Sequence, residues 1–475
     1  MNIKEFYNLA KNHFSFKLTA KQDLTLYKLS EFIIKGDNNS IFVLKGYAGT
    51  GKTTIVSAII NNLWKIKKSG VLMAPTGRAA KVLANYTKKE AYTIHKKIYY
   101  PKKNSAGNID FTLQKNKSKN TIFIIDEASM ISSSSQSKEL FDSKSLLSDL
   151  IQYVYSGYKC NIIFIGDTAQ LPPINSDLSP SLDEDFLKQN YNKSPESIEL
   201  DEVVRQKVES GILNNATKLR ESLLHDTFEN FKFNLSNFKD IERLIDGEDI
   251  INSLTDSYNE IGKEDTVLIV RSNKRANLYN EQIRKRILFN ENELSVGDNL
   301  MVVKNNYFWL KNNSEAGFIA NGDIIKVLEI NKIFDLYNFR FAEVLVQMID
   351  YPKMNPFNTV LLLDTINLET PSLNYEKSNQ LYNEVLKDYS NEKVKYKRFL
   401  KVKSNKYFNA LQVKFSYAIT CHKSQGGQWS SVYVEQPYLA NGIDKDFIRW
   451  LYTATTRAKD KLNLIGFKND FFNFV

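Results

Sequence analysis

The residues Gly46-Tyr47-Ala48-Gly49-Thr50-Gly51-Lys52-Thr53 fit the pattern G-x-x-x-x-G-K-[ST] at every fixed position. Glycines at this spacing let a backbone curl until successive N–H groups point at one phosphate. The helix that follows adds its positive dipole end. The expected nucleotide contacts are Gly46, Ala48, Gly49, Thr50, Gly51, Lys52, Thr53 and Thr54. Lys52 reaches β- and γ-phosphates, and the Thr53 hydroxyl suits Mg²⁺. Further along, Asp126-Glu127 supplies the second half of such chemistry. Asp126 is placed to hold Mg²⁺ through water, and Glu127 to orient or deprotonate the attacking water. Gln170 follows another apolar run and is a candidate sensor of the γ-phosphate. The chain is therefore read as binding ATP with Mg²⁺.

These side chains need a frame that sets them side by side. Apolar runs at 41–44, 71–74, 121–125, 161–165 and 266–270 read as buried parallel strands, each with chemistry at its carboxyl end. Helical spacing of Ile55, Ala58, Ile59 and Leu63 follows the glycine loop. The first 36 residues read as helical, and the Gln22 amide there can pair with N6 and N7 of adenine. Pro75-Thr76-Gly77-Arg78-Ala79-Ala80-Lys81 offers small residues, a hydroxyl and cations, which suits a phosphate backbone. Thr93-Ile94-His95 is a shorter cue of the same kind. Residues 97–118 read as a projecting hairpin with turn chemistry at 104–108.

Composition narrows the classes. The chain has 475 residues, room for several domains, with a net charge of +10 and a pI of about 9.1, which favours an anionic partner. Cys160 and Cys421 are far apart and lack metal-type spacing, which fits a reducing compartment and no structural zinc. No signal-like segment or membrane-length apolar run is present, so the expected location is the cytoplasm.

The motif series resembles superfamily 1 helicases of the RecD-like and phage Dda-like branch. The resemblance rests on residues 46–53, 74–81, 126–129, 166–173, Arg205-Gln206, 417–428 and 451–457. It implies an α/β fold of two RecA-like P-loop NTPase domains. The first spans 1–185 with its hairpin insert, and the second spans 186–291 and 411–475 around an SH3-like β-barrel insert at 292–410. It also implies that Arg205 and Arg457 reach the γ-phosphate and that Gly426 touches nucleotide. DNA contacts would come from Pro75, Thr76, Arg78, Thr93, His95, Asn273, Thr420, His422, Lys423 and Ser424. The activity implied is ATP-dependent unwinding by a monomeric motor running 5′ to 3′ on single-stranded DNA and acting at single-strand/duplex junctions. A translocase that displaces proteins without unwinding, and a nucleic-acid-binding ATP switch, are the alternatives. The hairpin would be the duplex-splitting pin, with Tyr99, Tyr100 or Phe111 stacking on the last base pair. A basic run from Lys393 to Lys406, interleaved with Tyr396, Phe399, Tyr407 and Phe408, suits a single strand or else covers a small core.

Overall fold

The computed structural model describes residues 1–103, 109–133, 145–173, 176, 178–202, 210–310, 314, 316–440 and 442–472. The first α/β domain is built on a six-stranded sheet whose pairs are all parallel. Its order runs Ala91–Thr93, Ser69–Ala74, Thr121–Ile125, Asn161–Gly166, Ser40–Gly46, Ser194–Leu200. Along Ser40–Gly46, Phe42 and Leu44 enter the core on one face while Ile41 and Val43 enter the core on the other. Both faces are covered, which is why the strand is apolar throughout rather than alternating. This order places the ends of Thr121–Ile125 and Asn161–Gly166 close to the glycine loop. The acidic pair and the Gln170 loop thereby share one edge with the phosphate-binding turn.

The second α/β domain carries a five-stranded parallel sheet, Ala418–Thr420, Thr266–Val270, Trp429–Glu435, Ala458–Ile465, Ile241–Leu244. Between its halves a closed barrel forms from Asn299–Val302, Ile324–Leu336, Phe339–Met348, Phe357–Leu362 and Leu411–Phe415. The long barrel hairpin turns through Tyr337 and Asn338, both at positive φ, as a two-residue hairpin turn requires.

Two expected borders move. Ser194–Leu200 pairs with Ser40–Gly46, so the first domain runs past residue 185. Leu411–Phe415 closes the barrel against Asn299–Val302, so the barrel runs past residue 410. The expected hairpin is present as Tyr99–Lys103 paired antiparallel with Ile109–Leu113; its turn, 104–108, lies outside the described residues.

Candidate active site

The glycine loop leaves Ser40–Gly46 and enters the helix Lys52–Ile60 with Gly49 and Gly51 at φ of 77° and 89°. A side chain at Gly51 would meet Gln22 Nε2 at 2.7 Å. The Gln22 amide donates to the Thr50 carbonyl at 2.9 Å, and its oxygen accepts from the Thr19 N–H at 3.1 Å. Gln22 thus braces the loop, and both ends expected to read adenine are engaged by the protein. Lys52 Nζ donates to the Gly46 and Tyr47 carbonyls at 2.5 and 2.8 Å.

Asp126 and Glu127 follow Thr121–Ile125 directly and are half-buried. Asp126 Oδ1 accepts from the Glu127 N–H at 2.9 Å, and Glu127 holds a φ of 51°. A non-glycine residue in that region stores strain that the surrounding fold must support. Burial, then the neighbouring Glu127, push Asp126 up to about 6, against the pull of Lys52. Two hard oxygen donors, the Thr53 hydroxyl and the Asp126 carboxylate, fit Mg²⁺ there. Among the described residues, groups of three or more His, Cys, Asp or Glu that could hold a metal are absent.

The other wall of the cleft comes from the second domain. The helix Lys445–Thr455, capped by Asp444 on the Phe447 N–H, presents Tyr452 and Thr453. Tyr452 Oη accepts from the Ala48 N–H at 3.0 Å and donates to Asp167 Oδ2 at 2.7 Å. Thr453 Oγ1 accepts from the Leu171 N–H at 2.8 Å, and Gln425 Nε2 donates to the Leu171 carbonyl at 2.7 Å. Between these anchors Gln170 is 6% exposed, and its amide oxygen has no partner among the described residues. Arg220, from the helix Gly211–Leu224, lays its guanidinium over the Tyr47 ring at 4.6 Å.

The residues expected to contact nucleic acid lie where the two domains meet. Thr76 caps the helix Gly77–Thr87 on the Ala79 N–H. Arg78 packs its guanidinium over Trp429 at 3.9 Å and donates to the Gln428 carbonyl at 3.3 Å. Lys423 Nζ donates to Asn321 Oδ1 at 2.5 Å, and burial pushes it down to about 8. His422 is exposed, while Pro75, Thr420 and Asn273 are half-buried. Thr93 is buried and caps the short helix Ile94–Ile98. Burial pushes His95 down to about 4, so it is neutral at physiological pH.

Residues 31–176 match the AAA domain family model, and residues 415–465 match the UvrD-like helicase C-terminal domain. The chain is 27% identical to the RecBCD enzyme subunit RecD of Buchnera aphidicola, across 100% of this chain and 77% of that protein. It is 25% identical to the ATP-dependent DNA helicase dda of Enterobacteria phage T4, across 88% and 92%. A solved Pif1 helicase from Bacteroides with ADP-AlF3 and ssDNA aligns over 97% of this chain and 95% of its own, at 15% identity and a TM-score of 0.43. So loose an overlay adds nothing to the fold read from the sheets. The family-model matches and these relatives support reading the chain as similar to the RecD-like and Dda-like superfamily 1 helicases.

Several expected contacts sit elsewhere. Arg205 lies outside the described residues. Arg457 is 3% exposed and bonds within its own domain, to the Thr453 and Gly427 carbonyls and to Thr456 Oγ1. Gly426, at φ 73°, packs on Thr76 and Ala79, beside the 75–81 stretch rather than the glycine loop. Ser424 is buried and donates to the Cys421 carbonyl, so it shapes its loop instead of facing a strand. Tyr99 is buried with its hydroxyl on Asp149 at 2.7 Å; it anchors the hairpin and cannot stack on a duplex, whereas Tyr100 is exposed. The Phe111 side chain lies outside the described residues. In the basic run, Tyr407 packs on Phe334 and Phe341, Phe408 packs on Tyr382, and Lys406 pairs with Glu343. Those aromatics cover a small core. Sequence reading missed Arg220 and Tyr452. Nothing in the spacing marks Arg220, while Tyr452 lies inside the 451–457 motif.

Proposed function

We propose that this helicase hydrolyses ATP to move 5′ to 3′ along single-stranded DNA and to open duplex at a junction, working as a cytoplasmic monomer. The observation that carries the reading is the two-sided cleft. One domain supplies the phosphate loop, Asp126, Glu127 and Gln170, while the other bonds to Ala48, Asp167 and Leu171. The same closure packs Thr76 and Arg78 against Gly426, Gly427 and Trp429. A change at the loop therefore alters the grip on a strand.

Thr53 and Asp126 would hold Mg²⁺, which when bound neutralises phosphate charge. Lys52 can exchange its two loop carbonyls for phosphate oxygens. Glu127 takes the proton from the attacking water, and Gln170 orients that water. The polarity and the monomeric state rest on the likeness to the RecD-like and Dda-like branch. The intact Asp126-Glu127 pair favours a motor over a binding switch.

Glu127→Gln keeps the site's shape but removes the base. It should retain ATP and DNA binding while kcat for DNA-stimulated hydrolysis falls about 10²-fold or more. Near-normal turnover would remove Glu127 from that role. Unwinding of paired 5′-tailed and 3′-tailed duplexes, run beside ATPase assays, separates helicase from strand-bound translocase and fixes the direction.

A further inference from the structure

We infer that Tyr452 is a positioning residue for hydrolysis: its hydroxyl ties the Ala48 N–H of the phosphate loop to the Asp167 carboxylate, and so sets Gln170 from the opposite domain. The inference deepens the motor reading above and rests on it.

Tyr452 is 1% exposed, and its hydroxyl has one donor and one acceptor partner, both across the cleft. Burial first, then Asp167, hold its pKa well above the ordinary tyrosine value, so it remains a proton donor to Asp167. Asp167 spends its other oxygen on the Ala169 N–H at 3.0 Å. That bond fixes the turn immediately before Gln170. On the far side, Leu171 is held through both its N–H and its carbonyl by Thr453 and Gln425. Gln170 is therefore suspended between two anchors that both belong to the second domain. Its buried, unpartnered amide oxygen faces a cost unless something donates to it. A water poised for attack is a donor of the right kind. If the second domain withdraws, Tyr452 and Thr453 leave together, since they are neighbours on one helix. The loop then loses both constraints at once, and hydrolysis becomes conditional on closure.

The chemistry of Tyr452 resides in one oxygen. Tyr452→Phe keeps the ring and its packing but removes both bonds. DNA-stimulated kcat should fall at least tenfold, while KM for ATP and DNA affinity change less than threefold. Asp167→Asn should behave alike, and the double variant should be no slower than the slower single, because both remove the same link. Multiplicative losses in the double variant, or a Tyr452→Phe enzyme with wild-type kcat, would overturn the inference. If Tyr452→Phe fails to fold, as judged by its thermal transition, Asp167→Asn alone must still show the kcat loss at constant KM. A wild-type protein without DNA-stimulated ATPase would instead sink the motor reading itself, and so the two failures are told apart.

Discussion

The barrel meets its two neighbours in opposite ways. Toward the second motor domain it is tied by a buried ion pair, Arg284 with Asp298, at 3.1 and 3.0 Å and with side chains 8% and 0% exposed. Every lone pair there is used: Asp298 also accepts from the Ser295 N–H and from Tyr417 Oη, and Arg284 donates to the Asn292 carbonyl. Toward the first motor domain the barrel offers Asp323 and Asp350. Both are largely buried, and each has one carboxylate oxygen without a hydrogen-bond partner among the described residues. Asp323 Oδ1 would lie 2.5 Å from a Cβ on Gly77, and Lys81 reaches Asp350 only at 3.5 Å. A satisfied buried pair is expensive to break, whereas an unsatisfied carboxylate favours separation. The barrel is thus bound tightly to the second domain and more loosely to the first.

The largest effect should come from the tight face. Arg284→Ala leaves Asp298 buried without its cation, a loss of about 3–5 kcal/mol. Equilibrium denaturation should show it as a lower midpoint. A loss under about 1 kcal/mol would mean that the two faces do not differ as described.

Little of this contrast was legible in the sequence, and the reasons are physical. The nucleotide strands announced themselves because both faces are covered, giving unbroken apolar runs that end in the motif. The barrel was legible from alternation, as in Phe339–Met348. The borders slipped because Ser194–Leu200 is a polar edge strand and Leu411–Phe415 is short. That Gln22 braces the loop was not legible, since an amide pairs equally well with a base edge or with a loop carbonyl. The basic run stayed open between two readings for a related reason. Phe399, Tyr407 and Phe408 have the spacing of a stacking platform and of a core alike, and only packing decides. Tyr452 could not be paired with Ala48 and Asp167 because that match spans the closed cleft, beyond any local spacing.

The loose face responds to a smaller change. Gly77→Ala inserts a methyl group against Asp323. Overpacking costs about 1–3 kcal/mol at the contact. Because the contact can open before the chain unfolds, the net change in global stability should be small. The contact itself should open, so amide exchange at 320–323 should quicken while exchange at 298–300 stays at wild-type rates. Equal changes at both segments would show the barrel moving against both domains.

The smallest expected effect is a pH dependence. Burial first, then the neighbouring Asp350, push Asp323 up to about 7, against the Ala320 N–H that donates to its other oxygen at 2.7 Å. The charged group that faces it is Asp350, with Lys81 on that residue. In the unfolded chain the same carboxyl titrates near 3.9. Between those values the native protein binds the extra proton, so stability falls as pH rises from about 4 to about 7 and is flat above. Below the lower value the contribution is fully present. The docked contact can open before the chain unfolds, so the global transition should record only about 1 kcal/mol of it. Asp323→Asn keeps the acceptor for Ala320 and cannot ionise. Thermal midpoints of the two proteins should therefore diverge from pH 5 to pH 8, with wild type falling relative to the variant. Parallel curves would mean that Asp323 is already charged in the docked state and that the loose face is held by charge after all.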